Sequence, residues 1–161
     1  PLGNSFTQPG QGRCLLVGGG VGIAPLLHLS KELKKKKIEA VVLIGTRSKK
    51  DIVLEEEYQK YAPTYYTTED GTYGEQGYPT QHSILKEHFD HIFCCGPLPM
   101  MKAIAQHAYT HHIDCEVSLE NMMACGIGAC LCCVEKTKDE HHVCVCTEGP
   151  VFNIENLTWL N

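Results

Sequence analysis

The sequence has no apolar segment long enough to cross a membrane and no excess of positive charge. No stretch approaches the roughly 20 apolar residues that a spanning helix requires, and the opening "PLGNSFTQPGQGR" lacks the basic and apolar regions of a secretory signal. Lys and Arg number 14 against 19 Asp and Glu, a formal net charge of -5. We therefore expect neither a membrane nor nucleic acid as a partner, because a negative chain repels a phosphate backbone.

The chain also lacks an initiator methionine and begins within a Pro- and Gly-rich stretch, which is typical of a piece of a longer protein. Its 161 residues are enough for one core of ordinary size, and its 43% apolar and 20% charged residues are close to globular averages. Cysteine, by contrast, is abundant, with ten residues. Without an export signal, ten cysteines indicate a reducing, cytoplasmic compartment, where metal binding is commoner than disulfide formation.

Apolar runs alternate with amphipathic stretches along most of the chain. Runs rich in β-branched residues, such as "IEAVVLIGTRS", suit strands that are buried on both faces of a parallel sheet. Helices are predicted from near Ala24, over 49–62, over 80–88 and over 98–112, and a last strand over 113–120. This alternation predicts an α/β fold with a doubly wound parallel sheet. The remaining residues predict a small C-terminal β-type module around a metal.

Four glycines stand between the first predicted strand and its helix, in "LLVGGGVGIAP". Such glycines let the backbone turn tightly and approach a phosphate, which the N-H groups of the helix N-terminus would bind. The loop departs from G-x-G-x-x-G because Ile23 holds the third glycine position, and the second strand ends without an acidic residue for a ribose. It predicts a pyrophosphate site, with a tight structural turn as the alternative. The glycines are Gly18, Gly19, Gly20 and Gly22.

Six of the ten cysteines lie between residues 125 and 146. Cys125, Cys130 and Cys133 are spaced C-x4-C-x2-C, and Cys146 follows after twelve residues. This is the plant-type [2Fe-2S] arrangement, in which one loop supplies three cysteines and a separate segment supplies the fourth. Two glycines in the x4 gap would let the backbone wrap around a cluster. The spacing predicts a [2Fe-2S] site.

The remaining thiols of this segment leave alternatives open. Cys132 and Cys144 are expected to fill space, but Cys144 rivals Cys146 as the fourth ligand, because side chains two residues apart on a strand share a face. Zinc sites usually pair C-x2-4-C with a second close pair, whereas Cys144 and Cys146 offer only C-x-C. A redox dithiol of Cys130 and Cys133 would need to stand beside a βαβ unit.

Several segments together resemble a known family. The sequence is similar to electron-transfer subunits of bacterial dihydroorotate dehydrogenase B, in the ferredoxin-reductase superfamily. The similarity runs from Pro1 to about Phe152. Two of the segments are specific to a narrow group, whereas the glycine loop is shared across the superfamily. The segments that carry it are "PLGNSF", "VGGGVGIAPLL", "GTRSKKDIVLEEEY", "TEDGTYGEQGYPT", "CCGPLPMMKAI" and, as the specific ones, "ENMMACGIGAC" and "CTEGPVF".

The resemblance implies where the cofactors bind. It places the pyrophosphate of NAD(H) on the glycine loop, the adenosine end on the loops after the second and third strands, and the nicotinamide at "CGP". In the family the fourth cluster ligand directly precedes a two-residue spacer and "GPVF", which selects Cys146 over Cys144. Arg47 leaves NADP open beside NAD, since an arginine there would meet a 2'-phosphate. The implied nucleotide-binding residues are Gly18, Gly19, Gly20, Gly22, Thr46, Arg47, Asp70, Cys95, Gly96 and Pro97.

The resemblance also implies an organisation and a function. Residues 1–11 would be a linker from an FAD-binding barrel, 12–120 the nicotinamide-dinucleotide domain, and 121–161 the [2Fe-2S] module. The implied partner is a catalytic dihydroorotate dehydrogenase subunit, in a heterotetramer. Electrons would pass between that partner's flavin and NAD through the [2Fe-2S] cluster and FAD, in pyrimidine biosynthesis. No residue of this chain is expected to be an acid or base catalyst, and the chain without the barrel is expected to be inactive.

Two other functions fit parts of the pattern. A reductase subunit of a hydrogenase or of a ferredoxin-linked transhydrogenase would share the fold and the cofactors. A zinc-stabilised nucleotide-binding module, from a different class, would use the same cysteines without redox chemistry.

Overall fold

A computed structural model describes residues 3–160, so Pro1, Leu2 and Asn161 lie outside the described residues. Seven strands form one sheet, in the order β4-β3-β2-β1-β5-β6-β9, and two others form a separate hairpin. Neighbouring strands of the sheet are parallel except β9, which runs antiparallel to β6. The strands are β1 Arg13–Gly19, β2 Glu39–Thr46, β3 Thr64–Thr68, β4 Glu75–Gln76, β5 His91–Cys95, β6 Asp114–Ser118, β7 Val134–Lys136, β8 His142–Cys144 and β9 Val151–Asn153.

Two long helices cover the sheet, and a short third helix lies beside the first. They are α1 Ile23–Lys35, α2 Glu55–Gln59 and α3 Leu98–Thr110. Helices α1 and α3 confirm the predictions made from near Ala24 and over 98–112.

The helix predicted over 49–62 is shorter than expected. The segment opens with a 3-10 turn at Lys49–Asp51, where the Ser48 side chain and the Asp51 carboxylate cap one another's backbone. Leu54 then adopts a left-handed backbone with φ 61° immediately before α2. The left-handed residue interrupts the helical path. Within the predicted range, only the five residues Glu55–Gln59 form an α-helix.

The helix predicted over 80–88 is wrong. Two 3-10 turns, Pro79–Gln81 and Ser83–Lys86, replace it. His82 separates them in an extended conformation, and its Nδ1 accepts the N-H of Ile84 at 2.9 Å. This local bond satisfies a donor that an α-helix would have paired differently, which is how short polar side chains compete with helix formation.

Each face of the sheet carries its own apolar core, because successive strand residues point to opposite sides. Leu16 packs with α1 on one face, and Leu15 packs with α3 on the other. The α3 core continues into the cysteine-rich segment through Val145 and Cys146. The segment assigned from sequence to a separate β-type module is therefore partly joined to the main sheet and its core, through β9 and these buried residues.

The sheet has one point where the chain changes direction. Strand β1 lies between β2 and β5, and α1 and α3, which follow β1 and β5, cover opposite faces. In open α/β sheets, loops that leave such a pair of strands lead to opposite faces and border a crevice beyond the carboxyl ends of the strands. Ligands of open α/β sheets bind at such switch points.

Candidate functional sites: a nucleotide crevice and a cysteine cluster

The glycine loop forms one wall of this crevice. Gly18 and Gly19 end β1, and a Cβ on Gly19 would lie 2.8 Å from the sulfur of Met100 on α3. A Cβ on Gly22 would collide with the backbone carbonyl of Cys95, the last residue of β5. These glycines are needed so that the two loops can touch, which is the structural alternative raised from the sequence.

Gly20 is different from its neighbours. Its φ is +57°, and no heavy atom lies within 4 Å of the position that a Cβ would occupy. The next residue, Val21, is 76% exposed. The left-handed backbone favours glycine, and the open space above it leaves room for a ligand. Packing within the chain thus accounts for Gly19 and Gly22 but not for the free volume at Gly20.

The opposite wall is the segment Cys95–Pro97. Cys95 ends β5 beside Gly18 of β1, and its side chain is buried. Burial raises the pKa of Cys95 to about 11, and the negative charge of Glu120 adds to the rise. The thiol is therefore neutral at physiological pH and suited to packing and weak hydrogen bonding rather than to nucleophilic chemistry.

The three residues proposed for the adenosine end meet at one edge of the crevice. The backbone N-H of Asp70 donates to the carbonyl of Arg47 at 3.2 Å, and Thr46 Oγ1 donates to Ser48 O at 3.0 Å. The Thr72 hydroxyl and N-H hold the Asp70 carboxylate and lower its pKa. The Arg47 side chain is 84% exposed and stands 3.9 Å from Asp51. Its guanidinium is accessible to a ligand.

Two contacts of the crevice were not predicted from the sequence. The Tyr58 hydroxyl is buried and donates to the carbonyl of Ile23 in the first turn of α1. Ser118 ends β6 directly opposite Cys95, and Glu120 follows it. The only sequence signal for Ser118 and Glu120 was their place at the end of the strand predicted over 113–120, whereas Tyr58 gave none because its contact spans 35 residues.

The first two cysteines of the C-x4-C-x2-C pattern form a pair. The sulfur of Cys125 accepts the backbone N-H of Ile127 at 3.5 Å and that of Cys130 at 3.3 Å. These N-H groups, that of Ile127 foremost, lower the pKa of Cys125 to about 6. Gly126 and Gly128, with φ 70° and 76°, bend the backbone between the pair. A thiolate at this sulfur is stabilised before any metal arrives.

The other two form a second pair. Cys146 donates its backbone N-H to the sulfur of Cys133 at 3.4 Å, which lowers the pKa of Cys133. The thiols of the pair also share a hydrogen bond that raises the pKa of Cys146. The N-H of Val145 donates to the carbonyl of Cys133 at 3.1 Å, so the two segments are joined by backbone as well as by sulfur.

Cys144 lies beside this second pair but in a different environment. Its thiol donates to the carbonyl of Gly128 at 3.7 Å, and burial raises its pKa. The N-H of the same Gly128 acts in the opposite sense on Cys146, but the Cys133 thiol and burial outweigh it and keep the pKa of Cys146 raised. Cys132 is exposed. Within residues 3–160, no three His, Cys, Asp or Glu side chains surround one point as ligands of a single ion would.

Family models match two parts of the chain. Residues 16–106 match the oxidoreductase NAD-binding domain, which covers more than half of the chain. The chain belongs to the oxidoreductase NAD-binding domain family. Residues 120–158 match the iron-sulfur cluster binding domain of dihydroorotate dehydrogenase B. The second match covers the residues that supply both cysteine pairs.

Curated relatives bear the name of the family that the sequence motifs resemble. The chain is 45% identical to "Dihydroorotate dehydrogenase B (NAD(+)), electron transfer subunit" of Bacillus velezensis, over 98% of this chain and 63% of that protein. It is 38% identical to the protein of that name from Fusobacterium nucleatum, over 94% and 61%. These matches confirm the resemblance. The chain spans about three fifths of the length of these relatives.

A solved structure shares the fold over nearly the whole chain. It is that of an NADH-dependent reduced ferredoxin-NADP oxidoreductase, studied for flavin-based electron bifurcation, with a TM-score of 0.89 and 31% identity over 99% of this chain and 58% of that one. The flavohaem-like FAD/NAD-binding domain of a Vibrio cholerae nitric oxide dioxygenase matches with a TM-score of 0.60 and 19% identity, over 71% and 54%. The predicted ferredoxin-reductase-like fold is confirmed. Among residues 3–160 there is no helix long and apolar enough to span a membrane.

Proposed function

We propose that this chain is the nucleotide- and cluster-binding part of an NAD-linked electron-transfer subunit that serves a dihydroorotate dehydrogenase, in the conversion of dihydroorotate to orotate for pyrimidine biosynthesis. One observation carries the proposal: both thiol pairs have a backbone N-H donor, and the second pair, Cys133 and Cys146, is buried in the core that α3 forms with the sheet. Relatives at 45% and 38% identity bear the name of that subunit.

In this proposal the crevice binds NAD(H). The backbone of the glycine loop before α1 and the open space at Gly20 would hold the pyrophosphate, and Thr46, Arg47 and Asp70 would border the adenosine. The nicotinamide would lie against Cys95–Pro97. Tyr58 would keep the first turn of α1 in place through the Ile23 carbonyl.

The four cysteines would hold the two irons as pairs, with Cys125 and Cys130 on one and Cys133 and Cys146 on the other. Both pairs have a backbone N-H directed at a sulfur, and such bonds stabilise thiolates and tune the potential of a cluster. When bound, the cluster supplies one-electron transfer, and the nicotinamide supplies hydride exchange. The chain's own residues supply ligands, orientation and burial.

The environment of the rival thiols supports Cys146 rather than Cys144 as the fourth ligand. A carbonyl oxygen faces the Cys144 thiol and would repel a thiolate there, whereas Cys146 is paired with Cys133 through sulfur and backbone contacts. Ligand thiols must be deprotonated to bind iron, so the carbonyl disfavours Cys144.

The wider organisation is part of the same proposal. Residues 12–120 would be the dinucleotide domain, 121–161 the cluster module, and 1–11 the linker from an FAD-binding barrel of the whole subunit. The partner would be the catalytic subunit, in a heterotetramer. A cytoplasmic location suits ten cysteines that are all unpaired.

The alternatives are less well supported. A transhydrogenase-type subunit shares the fold at 31% identity, against 45% for the electron-transfer subunit of Bacillus velezensis. A zinc module is not favoured, because the family model that covers the cysteines is that of an iron-sulfur domain.

A serine series tests the cluster assignment. The chain is reconstituted anaerobically with iron and sulfide, and iron, sulfide and visible absorbance are measured. We expect about two irons and two sulfides per chain, loss of both in Cys125→Ser, Cys130→Ser, Cys133→Ser and Cys146→Ser, and retention in Cys132→Ser and Cys144→Ser. A colourless parent that binds zinc would contradict the proposal. A cluster lost in Cys144→Ser but kept in Cys146→Ser would reverse the fourth assignment.

A second experiment tests the expected need for FAD. NADH is mixed with the reconstituted, flavin-free chain, and bleaching of the visible absorbance is followed. We expect no rapid bleaching, because hydride transfer needs a two-electron acceptor and an iron-sulfur cluster accepts single electrons. Rapid NADH-driven bleaching would contradict this expectation.

A further inference from the structure

Asn4 makes an unusual number of bonds to one short segment. Its side-chain Nδ2 donates to the carbonyls of Glu148 at 3.0 Å and Val151 at 2.9 Å, and its Oδ1 accepts the N-H of Val151 at 2.9 Å. Its backbone N-H donates to the carbonyl of Gly149 at 2.6 Å. One residue thus makes four hydrogen bonds to three residues, Glu148, Gly149 and Val151, which lie 144 to 147 positions further along the chain.

The chain on either side of Asn4 is also anchored. A Cβ on Gly3 would collide with the carbonyl oxygen of Gly149, so the two backbones are in direct contact. Phe6 is buried, with its ring 5.5 Å from that of Phe93. The N-H and hydroxyl of Thr7 donate to the Glu116 carboxylate at 2.8 and 2.6 Å. Residues 3–7 therefore form a strap from the end of the cysteine module to the main sheet.

The segment that Asn4 binds carries the fourth cysteine of the pattern. Residues 144–149 form a tight turn, in which the N-H of Glu148 donates to Cys144 O at 2.9 Å and that of Gly149 to Val145 O at 3.1 Å. Cys146 lies in the middle of this turn. The contact with Cys133 fixes its first half, and the Asn4 bonds fix its exit at residues 148–151.

We infer that Asn4 is a positioning residue for Cys146: it holds the exit of the turn so that the sulfur of Cys146 stays within reach of the iron that it shares with Cys133. The inference rests on the proposed function. A carboxamide suits the role, because it donates to two carbonyls and accepts one N-H at the same time. A carboxylate would keep the acceptor and lose both donors.

The test compares Asn4→Asp with Thr7→Val in the reconstituted chain. Thr7→Val removes the hydroxyl bond of the same strap at the sheet end, away from the turn. The readouts are the rate at which a chelator removes iron and the electron paramagnetic resonance spectrum of the reduced cluster. We expect Asn4→Asp to lose iron about tenfold faster or more, as two lost hydrogen bonds would allow, with altered g-values. Thr7→Val should match the parent.

The outcomes separate the inference from the proposal beneath it. An Asn4→Asp chain that is folded by circular dichroism and has the parent's iron-release rate and spectrum would overturn the inference while leaving the cluster in place. Equal effects in Asn4→Asp and Thr7→Val would also overturn it, because the strap as a whole would then be responsible. A parent that holds no cluster would reject the proposed function itself. If Asn4→Asp does not fold, Asn4→Ala, which adds no charge, is judged by the same two readouts.

Discussion

The sheet region, residues 12–118, and the cysteine segment, residues 119–150, keep their shapes by different means. The sheet is held by parallel ladders and by two buried cores. Among its described residues, the cysteine segment has only the short hairpin of β7 and β8 as regular structure. Most of its apolar side chains other than cysteine are exposed to solvent. Met122 is 81% exposed and Ile127 is 74% exposed. Burial of apolar area stabilises the first region far more than the second.

The two regions also satisfy their backbone donors differently. N-H groups of the sheet pair with carbonyl oxygens of neighbouring strands. In the cysteine segment, the N-H groups of Ile127, Cys130 and Cys146 point at sulfur. The backbone conformation of that segment and the protonation and metal-binding state of its thiols therefore depend on each other. The sheet region can form without a cofactor, whereas the cysteine segment is expected to depend on iron.

Removing iron should have the largest effect, and it should be confined to one region. We expect the reconstituted chain to lose amide-exchange protection across residues 131–146 when a chelator removes the iron, because the bonds through iron that join the cysteine loop to the segment around Cys146 would be lost. Protection of β1, β2 and β5 should not change. Hydrogen exchange with mass spectrometry measures both regions at once. Equal protection of the cysteine segment with and without iron would show that the two regions do not differ in this way.

A cavity in the sheet core should destabilise the sheet region and leave the cluster unchanged. Leu43 is fully buried in the α3 core, so Leu43→Ala should lower the free energy of unfolding by about 2–5 kcal/mol. The matched control is Val53→Ala, at a 54% exposed position, with a change of less than about 0.5 kcal/mol. Urea denaturation followed by circular dichroism gives the values. The visible spectrum of the cluster should be the same in both variants, and a changed spectrum in Leu43→Ala would mean that the regions are more tightly coupled than we propose.

Substitutions at two glycines of the loop should have different effects, on packing at Gly22 and on ligand binding at Gly20. Gly22→Ala should destabilise the fold, since its Cβ would collide with the Cys95 backbone. Gly20→Asn should leave stability nearly unchanged, because asparagine tolerates a positive φ and the space is open. It should weaken NADH binding by at least ~2 kcal/mol, about thirtyfold. Calorimetric titration and thermal denaturation separate the two effects. Gly20→Val is less informative, because a β-branched residue is strained at φ +57°.

For this comparison, the titration is best made on the subunit with its upstream part present. Unchanged affinity in Gly20→Asn would make the loop a structural turn only and would move the nucleotide elsewhere.

The smallest effect concerns the metal-free thiols. Backbone N-H groups lower the pKa of Cys125 to about 6, so its thiolate forms as the pH rises through that value. Alkylation of the iron-free chain should therefore reach half of its maximal rate at Cys125 near pH 6. Burial raises the pKa of Cys144, and its alkylation should require a higher pH. Peptide mass spectrometry at several pH values measures each site. Parallel profiles at the two cysteines would show that the N-H contacts are absent in solution.

Sequence patterns predicted the long elements well and the short ones poorly. Helix α1 was predicted from apolar residues at helical spacing and strand β2 from a nearly continuous apolar run. Both lie where predicted. The helix over 80–88 failed because the bond from Ile84 to the His82 ring competes locally with an α-helical turn. Such competition depends on the rotamer of one side chain, which cannot be predicted from composition or periodicity.

The candidate sites show the same division. The spacing of Cys125, Cys130 and Cys133 indicated a cluster site because ligand spacing along one loop is a local property. Spacing left Cys144 and Cys146 equivalent, and the resemblance alone separated them. The structure adds a physical contrast, since the Gly128 carbonyl faces one thiol and its N-H faces the other.

The sequence by itself determined the alternating α/β order, the glycine loop and the cysteine spacing, because each depends on residues close together in the chain. The tertiary structure decided what those features touch. It brought Gly22 against Cys95 and Tyr58 against Ile23, and it placed β9 at the edge of the sheet rather than in a separate module. It also joined Asn4 to residues 148–151. These contacts join residues from 33 to 147 positions apart, and such contacts form only when the whole chain has folded.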